Sequence, residues 1–447
     1  MNTLQAGFAR LDITPMLGIG MAGYFVPRTA DGVLDELQIN ALALRCGERS
    51  VVLMSIDHCG IVKEVLNPMI DNVCAATGLP REAVYIHATH THTGPFLNFA
   101  PTDPLEMEYA RTVTRKLADA AVLALQDLKP AKMGYGIGDA PNIAFVRRFR
   151  MKDGSVRTNP GVDNPQILHP IGDVDERVNV LRFDQEGGNS LVLVNFGNHP
   201  DVVGGCKISA DWPGFLRETV EKVLDNTRCI FFNGAQGDVN HVNVHPRGGY
   251  LNDMFMDFDD VARGYEHARY MGRVVAGGVL QAYDKVKYVD VDRIAYAQSF
   301  LDVPANLPDP AELPEAKRIN ELHLAGRDAE IPYTGMMLTT VVAASARKVR
   351  LENGPASFRM PLSAIAIGPV AMFGIPGEPF TGVGRALKQA EGYELVLPTC
   401  NTNAKEGYFP MMECYEEGGY EAGSSNFKAG VAELLIDAGL ALLDELK

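Results

Sequence analysis

Short apolar runs alternate with amphipathic stretches along most of the chain. Residues 38–44 and 51–57 are mostly apolar and read as strands, whereas 63–77 places its apolar side chains at helical spacing and stops at Gly78 and Pro80. Residues 83–89 predict a further strand, and 105–128 a long amphipathic helix. Beyond them, 176–183 and 191–196 predict a hairpin, 211–225 a helix with Pro213 in its first turn, and 228–232 a strand. The span 259–285 predicts a helix. Residues 304–327 are charged, punctuated by proline and only weakly helical, which predicts an exposed insertion. Strands at 363–367 and 370–374, a helix at 379–390 and a last helix at 427–446 complete the pattern. There is no internal repeat, low-complexity tract or separating linker. The expectation is one compact α/β domain over 1–447, with mixed β-sheets flanked by helices.

Charge narrows the choice of partners. Lys and Arg total 41 against 56 Asp and Glu, so the formal charge of −15 argues against nucleic acid or an anionic membrane as partner. The start has no basic region followed by an apolar stretch, and no run of about eighteen apolar residues spans a bilayer. A cytoplasmic protein without stable membrane insertion is expected. Seven cysteines, an odd number with no Cys-x-x-Cys spacing, read as reduced thiols. Nothing in the pattern specifies an oligomeric state.

The candidate chemistry begins at the end of the predicted strand 83–89. His87, His90 and His92 are three of ten histidines and fall within six residues. In an extended strand, side chains two apart share a face, so His90 and His92 can reach one point, as a metal site requires. Zinc needs three or four such donors, with one position open for chemistry. A solvated polar edge is the alternative for a lone His-x-His pair. A third histidine favours the metal: the buried run 190–196 leads directly into Gly197-Asn198-His199-Pro200, and strand ends are where α/β proteins place sites. Glu378 precedes Pro379 at a predicted helix start, where a carboxylate also serves as a cap. Tyr408 and Tyr420 lie in a glycine-rich segment and by composition alone are packing aromatics. Asp57 and Asp238 are either acceptors for ligating imidazoles or turn and cap residues. His241 and His245 either line a pocket or face solvent.

Taken in order, these segments resemble the catalytic domain of the neutral (neutral/alkaline, non-lysosomal) ceramidase family. The opening Gly7-Phe8-Ala9-Arg10-Leu11-Asp12-Ile13-Thr14-Pro15 and Met21-Ala22-Gly23-Tyr24 are similar to its start, and Thr89-His90-Thr91-His92-Thr93-Gly94-Pro95 is the most specific match. His199-Pro200, Gly237-Asp238-Val239, Pro376-Gly377-Glu378 and Tyr420-Glu421-Ala422-Gly423-Ser424-Ser425 follow in the family's order. The resemblance implies one Zn²⁺ per chain held by His90, His199, Glu378 and Tyr408. It also implies His92, Arg147 and Tyr420 as catalytic groups around the ion, with Arg148 the alternative to Arg147. A zinc-dependent hydrolase follows, cleaving an amide (N-acyl) or related ester or lactone bond of a small-molecule or N-acyl substrate with a metal-activated water. Such a water has its pKa lowered from near 16 to about 7.

The departures point in one direction. Asn240 stands where the family carries a serine after Gly-Asp-Val, and the chain shows neither a secretion signal nor the family's C-terminal immunoglobulin-like domain. These differences favour a polar amide or lactone over a membrane sphingolipid. Two other readings stand beside this one. One is a different metallohydrolase, of amidohydrolase or phosphoesterase type, although the early Asp-x-His and the Gly-Asp-x-x-Asp of a phosphoesterase are missing. The other is a catalytically inactive ceramidase-like binding protein.

Overall fold

The computed structural model describes residues 3–97, 103–247 and 254–447. Its principal sheet contains, in chain order, β1 (Gln5–Asp12), β2 (Gln38–Cys46), β3 (Arg49–Ile56), β4 (Val84–Ala88), β5 (Lys129–Asp139), β6 (Arg177–Gln185), β7 (Ser190–Phe196), β8 (Thr227–Asn233) and β9 (Lys287–Val289). In space the order is β8-β7-β6-β5-β1-β2-β3-β4, with β9 paired to β5. A second sheet of β10 (Ile294–Pro304), β11 (Ser357–Ile367), β12 (Val370–Gly374) and β13 (Leu395–Thr399) runs in that order. The pairs β3–β4, β7–β8 and β12–β13 are parallel while the other neighbours in these sheets are antiparallel, so both sheets are mixed.

Parallel neighbours require a crossover, and each of the three contains a helix, the one between β12 and β13 being Thr381–Leu387. Helix α1 (Lys63–Thr77) lies between β3 and β4, and α3 (Asp211–Val223) between β7 and β8. Helices α1 and α2 (Pro104–Gln126) cover one half of the principal sheet's outer face. Helices α3 and α4 (Tyr265–Tyr283) cover the other half. The inner face packs on the second sheet, where Leu42, Leu53, Leu181 and Leu193 meet Ile365, Ile367, Met372 and Leu397. The second sheet's far side is closed by the last helix, Val431–Glu445.

This layering explains the mostly apolar runs. In β7, Leu191 and Leu193 enter the core between the sheets, whereas Val192 and Val194 enter the core beneath α3 and α4. A strand buried on both faces has no polar face to alternate with. Each such side chain contributes about 1.5–3 kcal/mol of burial. Close approach of α4 to β5 depends on glycine: a Cβ on Gly138 would sit 2.0 Å from the Gly278 carbonyl oxygen.

Two expectations change. The helix expected over 259–285 begins only at Tyr265, because Phe255–Met256 and Ala262–Arg263 pair as a short hairpin. The stretch 304–327 is largely exposed, as expected, but more regularly helical than its pattern predicts. Its helix α5 (Leu313–Leu324) packs on α6 (Gly335–Arg350) through Ile319, Leu322, Ile331 and Val342, a small core of their own. All seven cysteines are free, and no helix among the described residues is long and apolar enough to cross a membrane.

The two edge strands of the principal sheet meet. The Asn233 N–H at the end of β8 donates to His87 Nε2 on β4 (2.9 Å), and the Ser55 hydroxyl of neighbouring β3 donates to the Phe231 carbonyl of β8 (2.6 Å). This seam brings the carboxyl ends of β4, β7 and β8 to one place, where β12 and β13 also end nearby.

Candidate metal centre and active site

Strand β4 ends at Ala88, so His90 and His92 are carried by a turn and not by an extended strand. His90 has a φ of 79°, in the left-handed region that a non-glycine residue occupies at a cost of about 1–3 kcal/mol. Backbone bonds hold the turn: the His90 N–H donates to the His58 carbonyl (2.8 Å) and the His92 N–H to that of Pro200 (3.2 Å). The same-face argument for the pair therefore fails. The rings meet nonetheless, with Nε2 atoms 3.2 Å apart.

His199 leaves β7 and Glu378 leaves β12, and both turn toward His90. Glu378 Oε2 stands 3.2 Å from His90 Nε2 and 3.2 Å from His199 Nε2, and all three side chains are buried. Glycine makes the approach possible, because a Cβ on Gly237 would lie 2.5 Å from the Glu378 carbonyl oxygen. Each imidazole is fixed from behind by backbone. His90 Nδ1–H donates to the Cys59 carbonyl (2.5 Å), and His199 Nδ1–H donates to that of Gln236 (2.8 Å). With Nδ1 so engaged, each Nε2 presents its lone pair to the common point. His90, His199 and Glu378 thus form a buried donor set within 4.8 Å, a group suited to a metal ion.

The charges of the three side chains are coupled, and without an ion between them they favour a proton on His90 Nε2 that a bound metal would displace. Burial opposes a charged His90, but Glu378 and Cys59 outweigh it and raise its pKa to about 10. Burial, then the Arg147 cation, push His199 down to about 4. Burial would raise the Glu378 carboxyl, yet His90 and His199 together hold it well below the carboxylate range.

Tyr408 pairs with Glu378 in a two-residue parallel bridge, and its ring lies 6.5 Å from that of His199. Burial, reinforced by Glu378, raises its phenol well above the ordinary value. Arg147 lies beneath both tyrosines, its guanidinium 5.3 Å from the Tyr408 ring centre and 5.8 Å from that of Tyr420. Its Nε donates to Glu421 (2.7 Å), its Nη2 donates to the Gly237 carbonyl (2.6 Å), and Nη1 reaches within 3.5 Å of His199 Nε2. Arg148 points elsewhere, donating to Cys414 Sγ (2.8 Å) and Glu417 (3.0 Å). Of the two arginines only Arg147 lines the pocket, beside His92, His199, Tyr408 and Tyr420.

Neither candidate aspartate orients a histidine. Asp57 accepts both ends of the Arg217 guanidinium (2.9 and 2.5 Å), and Asp238 accepts from the Thr381 N–H and hydroxyl (2.7 and 2.8 Å). The His245 side chain is 65% exposed and lies 3.3 Å from Asp163. His241 is buried against the Ala262 carbonyl and lies outside the pocket lining. Asn240 donates from Nδ2 to Asn159 Oδ1 (3.1 Å) and contributes no nucleophile.

Some of the site has little signal in the sequence. Asp201 Oδ1 lies 3.5 Å from His92 Nδ1, accepts from the Tyr24 hydroxyl, and accepts from Arg263 Nε at 3.2 Å. Gly23, at φ 107°, leaves room for His92: a Cβ there would be 2.9 Å from the His92 Cβ. Cys59 adds a buried thiol 3.9 Å from His90 Nδ1, with Lys405 Nζ at 3.2 Å. Gly23 and Tyr24 were signalled by the Met21-Ala22-Gly23-Tyr24 motif, whereas Cys59 and Asp201 were marked only by their places just past a strand and just past His199.

No protein-family model matches this sequence, and no curated protein sequence does. Structural similarity is extensive. Neutral ceramidase from Pseudomonas aeruginosa superposes with a TM-score of 0.73 at 18% identity, over 100% of this chain and 75% of that one. A ceramidase complexed with C2 gives 0.73 at 18% identity, over 100% and 76%. The whole of this chain is therefore built on the fold of neutral ceramidase.

Proposed function

We propose that the protein is a zinc-dependent hydrolase that cleaves an amide (N-acyl) bond or a related ester or lactone. The observation that carries this reading is the convergence of His90 Nε2 and His199 Nε2 on Glu378 Oε2, each at 3.2 Å, with both rings fixed through Nδ1 by backbone carbonyls. His90, His199 and Glu378 would hold one ion per chain, with the Tyr408 phenol as a fourth donor. When bound, zinc supplies a water acidified to near neutrality and an electrophile for the substrate carbonyl. His92 holds or moves a proton at Nε2 on the edge of the donor set. Arg147 and Tyr420 face the same pocket and stabilise negative charge developing on the substrate oxygen. The structural neighbours are ceramidases by name, and N-acyl hydrolysis comes from them to this chain as part of the proposal.

Metal analysis and hydrolysis of a panel of N-acyl and lactone substrates test it together. The expected result is one zinc per chain, with activity abolished by a chelator and restored by Zn²⁺. Two metals per chain, or activity indifferent to chelation, overturns the reading.

A further inference from the structure

The cavity beside the donor set is small, about 40 Å³. A water molecule occupies about 30 Å³ of liquid, and pockets for drug-sized ligands run to about 300–1,000 Å³. The inner cup therefore admits a group of only a few atoms. Phe25, Phe258 and Met336 are among its walls and offer such a group apolar contact.

A second cavity of about 420 Å³ adjoins it. Asn159 and Met336 line both, so the two spaces meet at this pair. Asn159 is firmly placed: its φ of 44° suits asparagine, its N–H donates to the Arg147 carbonyl (2.8 Å), and its Oδ1 accepts from Asn240 (3.1 Å). The outer walls mix polar and apolar side chains. Arg157, Thr158 and Asp260 offer donors and acceptors, Tyr333 is 42% exposed and presents an aromatic face, and the apolar members are prolines and methionines. Among the described residues, no Leu, Ile, Val or Phe lines this cavity. The Arg157 side chain is 42% exposed, and the ion pair it makes, with Asp153 at 3.9 Å, is long and exposed, so the guanidinium is available to a ligand.

A long alkyl chain has no place in this arrangement. The inner cup is too short for it, and the outer cavity would bury hydrocarbon against charged groups that lose water without gaining a partner. We infer that the substrate carries a short acyl group, acetyl-sized, in the inner cup and a polar, hydroxylated amine or alcohol in the outer cavity. This inference rests on the hydrolase reading for its reaction and on the two cavities for its specificity. Asn240 then acts as a specificity residue by holding Asn159 at the boundary.

N-acetyl-, N-octanoyl- and N-palmitoyl-glucosamine, offered to the zinc-loaded protein, form the test. The acetyl derivative is expected to exceed the octanoyl one by at least about 100-fold in kcat/KM, and Met336→Ala to narrow that ratio by about tenfold. Arg157→Gln should raise KM for the acetyl derivative by about tenfold. Calorimetric titration of the zinc-loaded protein with glucosamine, the amine product, reports the outer contacts without turnover, with affinity lost in the Arg157 variant. Equal or better use of the long-chain derivatives, or a ratio unmoved by Met336→Ala, overturns the cavity assignment and leaves the hydrolase reading intact. A protein that binds the acetyl derivative yet hydrolyses no N-acyl or lactone substrate with zinc bound refutes the hydrolase reading and supports the cavity assignment.

Discussion

Replacing His87 with leucine removes the link that fastens the two edges of the principal sheet. His87 is fully buried; its Nδ1–H donates to the Cys400 carbonyl (2.7 Å), and its Nε2 accepts from the Asn233 N–H (2.9 Å). Both nitrogens are thus committed to the neutral ring, and burial lowers its pKa to about 3. The leucine variant strands the buried Asn233 N–H, at about 1–3 kcal/mol, and leaves the Cys400 carbonyl with the Thr402 hydroxyl (3.0 Å) as its remaining side-chain donor. The sign with pH follows from proton uptake. Between pH 6.5 and pH 3 the unfolded chain protonates this histidine and the native one does not, so stability falls as the solution is acidified. With an unfolded pKa of about 6.5, going from pH 7 to pH 5 costs the wild type about 2 kcal/mol through His87 alone. Urea unfolding at both pH values, followed by fluorescence of the single buried Trp212, measures this loss in each protein. The variant should be less stable at pH 7 and lose about 2 kcal/mol less on acidification. Losses from metal release and from other buried histidines are common to both and cancel in the difference. Equal acid sensitivity in the two proteins refutes the assigned protonation state.

Other substitutions probe the site and the frame that carries it. His90→Ala, His199→Ala and Glu378→Gln should each lose bound metal and more than about 10³-fold of activity; full zinc occupancy in any of them by elemental analysis removes that residue from the ligand set. Tyr420→Phe should lower kcat by about 10²–10³-fold at unchanged metal content, and an unaltered kcat rules out its donor role. Arg217→Met leaves the buried Asp57 carboxylate unpaired and should cost about 3–5 kcal/mol in denaturant unfolding, whereas a loss under about 1 kcal/mol shows that the pair is dispensable. Gly138→Ala should cost about 1–3 kcal/mol or more by forcing β5 away from α4, and a thermal midpoint equal to wild type contradicts the packing described.

Regular periodicity made much of the fold legible in advance. Residues 63–77 were marked by apolar spacing and by Gly78, and α1 spans Lys63–Thr77. The apolar run of β7 led straight to His199, because a doubly buried strand must discharge its polar residues at its end. His90 was found for a partly mistaken reason. Its left-handed backbone belongs to a turn, and nothing in Thr-His-Thr-His announces a positive φ at a histidine. Adjacent Arg147 and Arg148 were indistinguishable by pattern, since both are buried and only tertiary partners separate them. Asp57 and Asp238 attracted attention as acceptors for imidazole, whereas the acceptors in place are the carbonyls of Cys59 and Gln236. Every residue owns a carbonyl, so composition carries no trace of that choice. Asp201, Tyr24 and Arg263 meet beside His92 from three distant segments, and the α5–α6 hairpin gathers its small core from residues masked by surrounding charge.

The seam between β4 and β8 has a bearing on the order of events during synthesis. His90, His199 and Glu378 lie on loops that come together only after both sheets are paired and stacked, so a nascent chain cannot assemble this donor set until residue 378 has left the ribosome. Under the proposed function, loading with metal would therefore be a late step in maturation.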